Sequence, residues 1–373
     1  MSSNPPAAQI PSLLRGCFRI TLLYDVAEAI DLAKVREFLG ERAAAGPPTF
    51  PRRTPEYIRF AQPPVIEKRE PLVLKSGERV TSWVKYHAFA VIAVEIEVPF
   101  SCGWRELEER ASRWMGVGDV EPLAHEIVAA RLTKIGPAVF RQNESWLNES
   151  YLVINLQETG ENGGEPTSAS ELLTNCGKEI VQLIRGEEVP LASKTIEDTL
   201  QASLSYYSTD LVLVGSAAAL VYDRSDDAEA TMLVLEFARM QLLEFRYYDD
   251  LMSNLLSDVY TMLDRKRNYL LSRWTLPRDA QHINAIRLDV MDLTERIDNA
   301  IKFLSDAYYA RVYRLASARM GVNEYRDLVD EKLRTAGELY QFMVDQFNET
   351  RSFVLELIVM ILVLLDAIML FRH

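Results

Sequence analysis

WVKYHAFAVIAVEIEVPF, residues 83–100, carries the strongest β-strand signal in the chain, because β-branched and aromatic residues fill most of it. Other strand-like stretches lie on both sides of it, and segments with helical periodicity separate them. The strand-like stretches are 17–26, 150–158 and 209–223, and the helical ones are 104–115, 123–132 and 172–186. This alternation predicts an α+β domain over residues 1–224 and leaves open whether it divides into two subdomains.

Composition argues against several classes of function. The chain has 373 residues and a net charge of −13, so a general attraction to nucleic-acid phosphates is not expected. Cys17, Cys102 and Cys176 are a scattered set without C-x-x-C spacing, which argues against disulfides and a zinc site and fits a reducing compartment. The four histidines form no H-E-x-x-H pair. The sequence therefore predicts no metal, no other cofactor and no nucleic-acid partner.

Beyond residue 227 the pattern changes to long helices. Apolar residues recur at steps of three and four through 235–262, 286–315 and 325–347, which is a heptad-like spacing. Three helices with one apolar stripe each predict an antiparallel coiled-coil stalk over residues 227–350. The stripes favour a homo-oligomer, and an intramolecular bundle would satisfy them as well.

The most apolar stretch is FVLELIVMILVLLDAIMLF, residues 353–371, whose only charged residues are Glu356 and Asp366. At 1.5 Å per residue it spans roughly 28 Å as a helix, close to a hydrocarbon core of about 30 Å. We therefore expect one C-terminal transmembrane helix with a lipid membrane as partner. The N-terminus resembles no signal peptide, which predicts that the bulk of the chain lies on the cytoplasmic side. Because a carboxylate within a membrane is costly, both acids are candidates for an oligomeric or functional role, with Arg351 as their juxtamembrane neighbour.

Two segments of the C-terminal half carry a family resemblance. FARMQLLEFRYYDDLM, residues 237–252, and the closing stretch 334–371 resemble the "required for meiotic nuclear division" family, also called Sad1-interacting factors. In that family an Arg, an acid and a second acid follow one another near the membrane, and Arg351, Glu356 and Asp366 match in kind. The family's aromatic-glycine strand is echoed only by residues 86–89, where the glycine is missing. The resemblance implies a bacterial relative, a membrane-associated oligomeric tether and no enzymatic activity.

Two functional hypotheses follow, and an enzyme ranks third. The first is a non-enzymatic, membrane-anchored scaffold or tether that holds an unknown protein partner through its α+β domain. The alternative is an oligomeric channel or transporter subunit with a CorA-like layout, in which Asp366 lines a pore. The sequence shows no G-x-S-x-G, P-loop or dinucleotide fingerprint, so no catalytic residue is predicted. A catalytic set assembled from distant residues stays open.

Overall fold

The structure is a computed structural model that describes residues 13–40, 43, 63–74, 77–118, 120–159, 167–187, 189–223, 225–264, 288, 291 and 307–371. The chain divides into two compact units. Unit 1 comprises Met1–Tyr247 and Ile297–Glu324, and unit 2 comprises Tyr248–Arg296 and Tyr325–His373.

A mixed β-sheet organises unit 1. Its strands are β1 (Leu14–Ile30), β2 (Val65–Lys68), β3 (Leu72–Val73), β4 (Arg79–Tyr86), β5 (Val91–Cys102), β6 (Val139–Thr159), β7 (Leu211–Val214) and β8 (Ala218–Tyr222). The order across the sheet is β2-β4-β5-β1-β6-β8-β7, with β3 paired to β4. Every pairing is antiparallel except that of β6 with β8. The long strands β5, β1 and β6 thus form the centre of the sheet.

The stretch 83–100 forms two strands and a turn. Strands β4 and β5 pair as an antiparallel hairpin, with Tyr86 opposite Ile92 and Thr81 opposite Glu97. The turn between them ends at Ala90, which has a φ of 62°. Glycine or asparagine usually marks such a left-handed position. The turn contains neither glycine nor asparagine. The sequence therefore shows no turn signal, and residues 83–100 look like one continuous strand although they form a hairpin.

Most helices begin and end at recognisable local signals. The described helices are α1 (Leu32–Leu39), α2 (Trp104–Met115), α3 (Glu121–Ile135), α4 (Ala169–Arg185), α5 (Ser193–Leu200), α6 (Ser225–Asp264), α7 (Ala307–Met320) and α8 (Val322–Phe371). Asp31 caps α1, and Ser168 forms a capping box with Glu171 at the start of α4. Gly321, at φ 86°, separates α7 from α8. The three helices and the one strand predicted within residues 104–186 are found there as α2, α3, α4 and β6, and α3 and β6 are longer than predicted.

The two faces of the sheet in unit 1 pack against different helices. On one face, apolar residues such as Phe18, Ile96 and Leu152 form a continuous core with α1 to α4. On the other face lies the first part of α6, whose Leu235 and Phe245 are 0% and 1% exposed. Helix α7 lies against β7. Unit 1 is therefore a layer of helices, a sheet and a second layer of helices.

The fold-class prediction of a long coiled-coil stalk over residues 227–350 is wrong. The first part of the apolar stripe that predicted it, including Leu235, Ala238 and Phe245 of α6, is buried within unit 1, the unit that contains the sheet. Part of the second predicted helix is α7, which also belongs to unit 1. The error has a physical cause: an apolar stripe with helical spacing has the same appearance whether it packs on a sheet or on another helix. Residues 265–306, apart from 288 and 291, lie outside the described residues.

The prediction of a transmembrane anchor over residues 353–371, and with it a single-pass, tail-anchored localisation, is also wrong. Within the part of the chain that the structure describes, no helix is sufficiently long and apolar to cross a membrane. Glu356 and Asp366 interrupt the apolar run and leave nine uninterrupted residues, 357–365, between them. Nine residues give only about 14 Å of helix, about half of a hydrocarbon core.

Gly16 in β1 is a position where a side chain has no room. The pairing of β1 with β6 shifts register between Arg15 and Gly16. A Cβ atom at Gly16 would lie 2.0 Å from the backbone oxygen of Asn155 and 2.9 Å from Phe100 Cζ. We expect Gly16→Ala to lower the free energy of unfolding by about 1–3 kcal/mol, because the central strands must move apart.

Urea denaturation of the full-length protein measures this change, and Gly136→Ala is the matched control. A Cβ atom at Gly136 has no neighbour within 4 Å, so its substitution should change stability by less than about 0.5 kcal/mol. Equal effects of the two substitutions would contradict the close approach of β1 and β6.

Candidate functional site

Charged side chains occupy the face of the sheet that α6 covers. Alternate residues of a strand point to the same side, and the register places Glu97 beside Arg19 and Glu95 beside Thr21. Residues of α6 that are three or four positions apart are the ion-pair partners of these strand residues. We call this set the charged layer, and it comprises Arg19, Lys85, His87, Glu95, Glu97 and Glu149 together with Glu229, Glu236, Arg239 and Arg246 of α6.

Lys85 lies at the centre of the charged layer. Its Nζ donates to Glu95 Oε2 at 2.6 Å and to Glu236 Oε2 at 2.5 Å. His87 Nε2 lies 3.2 Å from Glu236 Oε1. Burial alone would raise the pKa of Glu236, but the Lys85 ammonium and His87 outweigh it and lower this pKa to about 2. The carboxylate of Glu236 is therefore ionised at neutral pH and ties α6 to the sheet.

Arg19 forms a second centre on β1, two strands away from Lys85. Its guanidinium donates to Glu229 Oε2 at 2.9 Å and to Glu95 Oε1 at 3.4 Å. Arg19 Nε lies 3.3 Å from Glu97 Oε2. Burial by itself lowers the pKa of Arg19, yet the surrounding carboxylates raise it overall. Arg19 thus joins two strands of the sheet to the start of α6.

Glu149 forms the third centre, on β6. Its carboxylate pairs with both Arg239 and Arg246 of α6. Arg239 also donates to the backbone oxygen of Ser216 at 3.0 Å, and its guanidinium lies 5.6 Å from the ring centre of Tyr151. Burial lowers the pKa of Arg239. The three centres together hold α6 along about five helical turns, from residue 229 to residue 246.

The charged layer leaves little room for a ligand. The cavity between sheet and α6 has a volume of about 10 Å³, which is about the least that one water molecule requires. Arg239 Nε has no hydrogen-bond acceptor among the described residues, and a water molecule in this cavity would supply one. A cavity of this volume holds at most one water molecule, and the ion pairs around it link α6 to the sheet.

A larger groove of about 660 Å³ lies beside α1. It is lined by residues 29–34, Arg36, Pro63 and residues 137–140. The acid in this groove is Asp31, whose Oδ1 accepts from the backbone nitrogens of Ala33 and Lys34. These hydrogen bonds, led by the one from Lys34, lower the pKa of Asp31. Asp31 therefore serves as a helix cap and not as a proton donor.

The site residues predicted from the sequence cannot be compared with this geometry. Arg351, Glu356 and Asp366 belong to α8, and their side chains lie outside the described residues. Sequence reasoning also missed the charged layer. Its signal is the pair Glu95 and Glu97 inside an otherwise apolar strand, together with charged residues on the apolar helix α6. A strand in which charged and apolar residues alternate can equally have its charged face in solvent. Only the packing of α6 on this face shows that the charges are buried.

Residues 15–229 match a family model whose description is "Uncharacterized protein MJ0711, N-terminal domain". The chain belongs to this family. The match extends from β1 to the first turn of α6, so the family domain contains the whole sheet. Of the charged layer, it includes every residue from Arg19 to Glu229, whereas Glu236, Arg239 and Arg246 follow it.

One relative is "Uncharacterized protein MJ0711" of Methanocaldococcus jannaschii, which is 20% identical over 190 residues. The similarity covers 51% of this chain and 58% of that protein. No solved structure matches the chain. These similarities do not bear on the resemblance to the "required for meiotic nuclear division" family, which stays a prediction.

Proposed function

We propose that this chain is a non-enzymatic scaffold that self-associates through the helices of unit 2. The observation that carries the proposal is the run Val359–Val363 in α8, where five successive apolar side chains are each 50% to 64% exposed. Phe342 on the same helix and Tyr260 on α6 are also more than half exposed. Exposed apolar surface of this kind marks an association site.

The spacing of these residues favours a partner made of helices. Successive residues of a helix are about 100° apart, so the five residues of 359–363 cover all sides of α8. A single shallow groove would cover only one side. Several copies of the chain present the same residues, and a bundle of their helices can cover more than one side of each α8.

A contact inside unit 2 supports a defined helical arrangement there. Lys332 of α8 pairs with Asp249 of α6, and its Nζ donates to Ser253 Oγ at 2.7 Å. Met252 and Val329 are both 0% exposed. The two helices thus have a buried side within unit 2, and the exposed residues lie elsewhere on them.

The charged layer supports the non-enzymatic part of the proposal. Its most buried carboxylates, those of Glu149, Glu236 and Glu95, are engaged in ion pairs with Lys or Arg. With a pKa of about 2, Glu236 holds no proton that it could donate near neutral pH. The channel alternative depended on a transmembrane helix and is not part of this proposal.

Light scattering coupled to size-exclusion chromatography of the full-length protein tests self-association. We expect an oligomer in the wild type and the mass of one chain for the variant with Met360→Lys and Val363→Lys, because charged residues cannot be buried unpaired between the copies. Val189→Lys is the matched control, since Val189 is an equally exposed apolar residue of unit 1, at 69%.

The control variant should keep the mass of the wild type. A wild-type protein that has the mass of one chain throughout the micromolar range would contradict the proposal. An unchanged oligomer in the double variant would place the interface outside residues 359–363.

A further inference from the structure

A second polar cluster lies on the opposite face of the sheet, within the apolar core. Glu67 of β2 is 2% exposed, and its Oε2 accepts from Tyr86 Oη at 2.9 Å. The same oxygen accepts from Arg131 Nε of α3 at 2.8 Å. Arg131 therefore balances the charge of Glu67.

Arg69 brings a second positive charge to this cluster. It follows β2, and its backbone nitrogen donates to the backbone oxygen of Ser82 at 3.1 Å. Arg69 Nη1 is buried and has no hydrogen-bond acceptor among the described residues. Burial, followed by the nearby Arg131 guanidinium, lowers the pKa of Arg69. Glu67 is the buried carboxylate of the cluster and faces two guanidinium groups, and the second carboxylate that acts on Arg69 is that of the exposed Glu70.

Ser82 gives independent evidence that an acceptor belongs here. Its side chain is fully buried, at 0% exposed, and its Oγ has no hydrogen-bond partner among the described residues. Ser82 lies directly opposite Arg69 across the β2–β4 edge, where facing Cβ atoms are about 5 Å apart. Buried hydroxyl and guanidinium donors are nearly always satisfied in folded proteins. Two unsatisfied donors at adjacent positions thus point to a common acceptor.

We propose that Arg69, Arg131 and Ser82 form a binding site for a small oxyanion. A guanidinium group presents parallel N–H donors that match two oxygens of a phosphate or carboxylate group, and a hydroxyl adds a third donor. Arg69 is partly exposed, which gives the anion a route from solvent. The site is independent of the self-association of unit 2, because its residues belong to the family domain in unit 1.

Isothermal titration calorimetry of the full-length protein tests the site with two probes, inorganic phosphate and acetate. Sodium chloride keeps the ionic strength constant so that general screening does not change. We expect saturable binding of at least one probe, and the stronger of the two identifies the group that the site prefers. Arg69→Met should weaken that binding tenfold or more, and Arg105→Met, at a side chain that is 93% exposed on α2, should leave it unchanged.

Ser82→Ala provides a second variant in case Arg69→Met does not fold, and we expect it to weaken binding two- to fivefold. Circular dichroism establishes that each variant is folded before titration. Absence of saturable binding of both probes would overturn the proposal. Equal affinity of the wild type and Arg69→Met would overturn it too, because the anion would then bind elsewhere.

Discussion

Replacement of Lys85 by methionine is expected to lower the free energy of unfolding by about 3–5 kcal/mol. The Lys85 ammonium is the shared partner of Glu95 and Glu236, whose side chains are 7% and 5% exposed. Without it, two buried carboxylates remain with too little positive charge around them. The penalty of an unpaired buried charge exceeds the gain from a well-packed methionine. Urea denaturation of the full-length protein, followed by circular dichroism, measures the change.

Two controls show whether the loss comes from the buried charges. Lys34→Met breaks an exposed pair with Asp31, 3.5 Å long, and should change stability by less than about 0.5 kcal/mol. A triple variant that combines Lys85→Met with Glu95→Gln and Glu236→Gln should recover part of the loss, because no unpaired charge is left. If Lys85→Met costs less than about 1 kcal/mol, the charged layer does not fix α6 and its structural interpretation fails.

Replacement of Asp25 by asparagine is expected to stabilise the protein at alkaline pH. Asp25 lies in β1 and is 3% exposed, and Asn143 Nδ2 donates to its Oδ1 at 3.3 Å. Burial raises the pKa of Asp25 to about 7, against hydrogen bonds from Ala27 and Asn143 that lower it. The pKa of Asp25 in the folded protein is thus higher than its value of 3.8 in the unfolded chain. The contribution of this carboxyl group to stability is therefore fully present below pH 3.8 and is lost as the pH rises through 7.

The asparagine side chain keeps the neutral form at every pH. The difference in free energy of unfolding between Asp25→Asn and the wild type should therefore increase by about 2–3 kcal/mol from pH 5 to pH 8.5. Urea denaturation at both pH values measures it.

Asp31→Asn is the control, because the pKa of Asp31 is shifted in the opposite direction to that of Asp25. The hydrogen bonds that Asp31 accepts as the cap of α1 lower its pKa. That variant should gain no stability relative to the wild type as the pH rises. A pH-independent difference for Asp25→Asn would show that Asp25 is ionised in the folded protein at pH 5.

Local patterns predicted the elements well and their partners poorly. The helix predicted over residues 104–115 has those bounds in the structure, since its periodicity and flanking glycines are local signals. The charged layer was not predicted, because Lys85 and Glu236 are 151 positions apart. The Arg69 cluster was missed for a similar reason: Arg131 reaches Glu67 from a helix 64 positions away. A charged residue in a strand pattern has the same appearance whether it faces water or a buried partner.

The sequence by itself determined where many of the strands and helices form, because the side-chain period of an element follows from its backbone geometry, but it did not determine the turn between β4 and β5. It also determined that α6 and α8 each carry an apolar stripe. Only the tertiary structure decided what those stripes and charges pack against. An apolar stripe is stabilised by any apolar surface, and a buried charge by any partner of opposite sign, so neither specifies its neighbour. The first part of the stripe of α6 is therefore buried in unit 1 instead of in a stalk, and the charged residues of α6 pair with those of β4, β1 and β6.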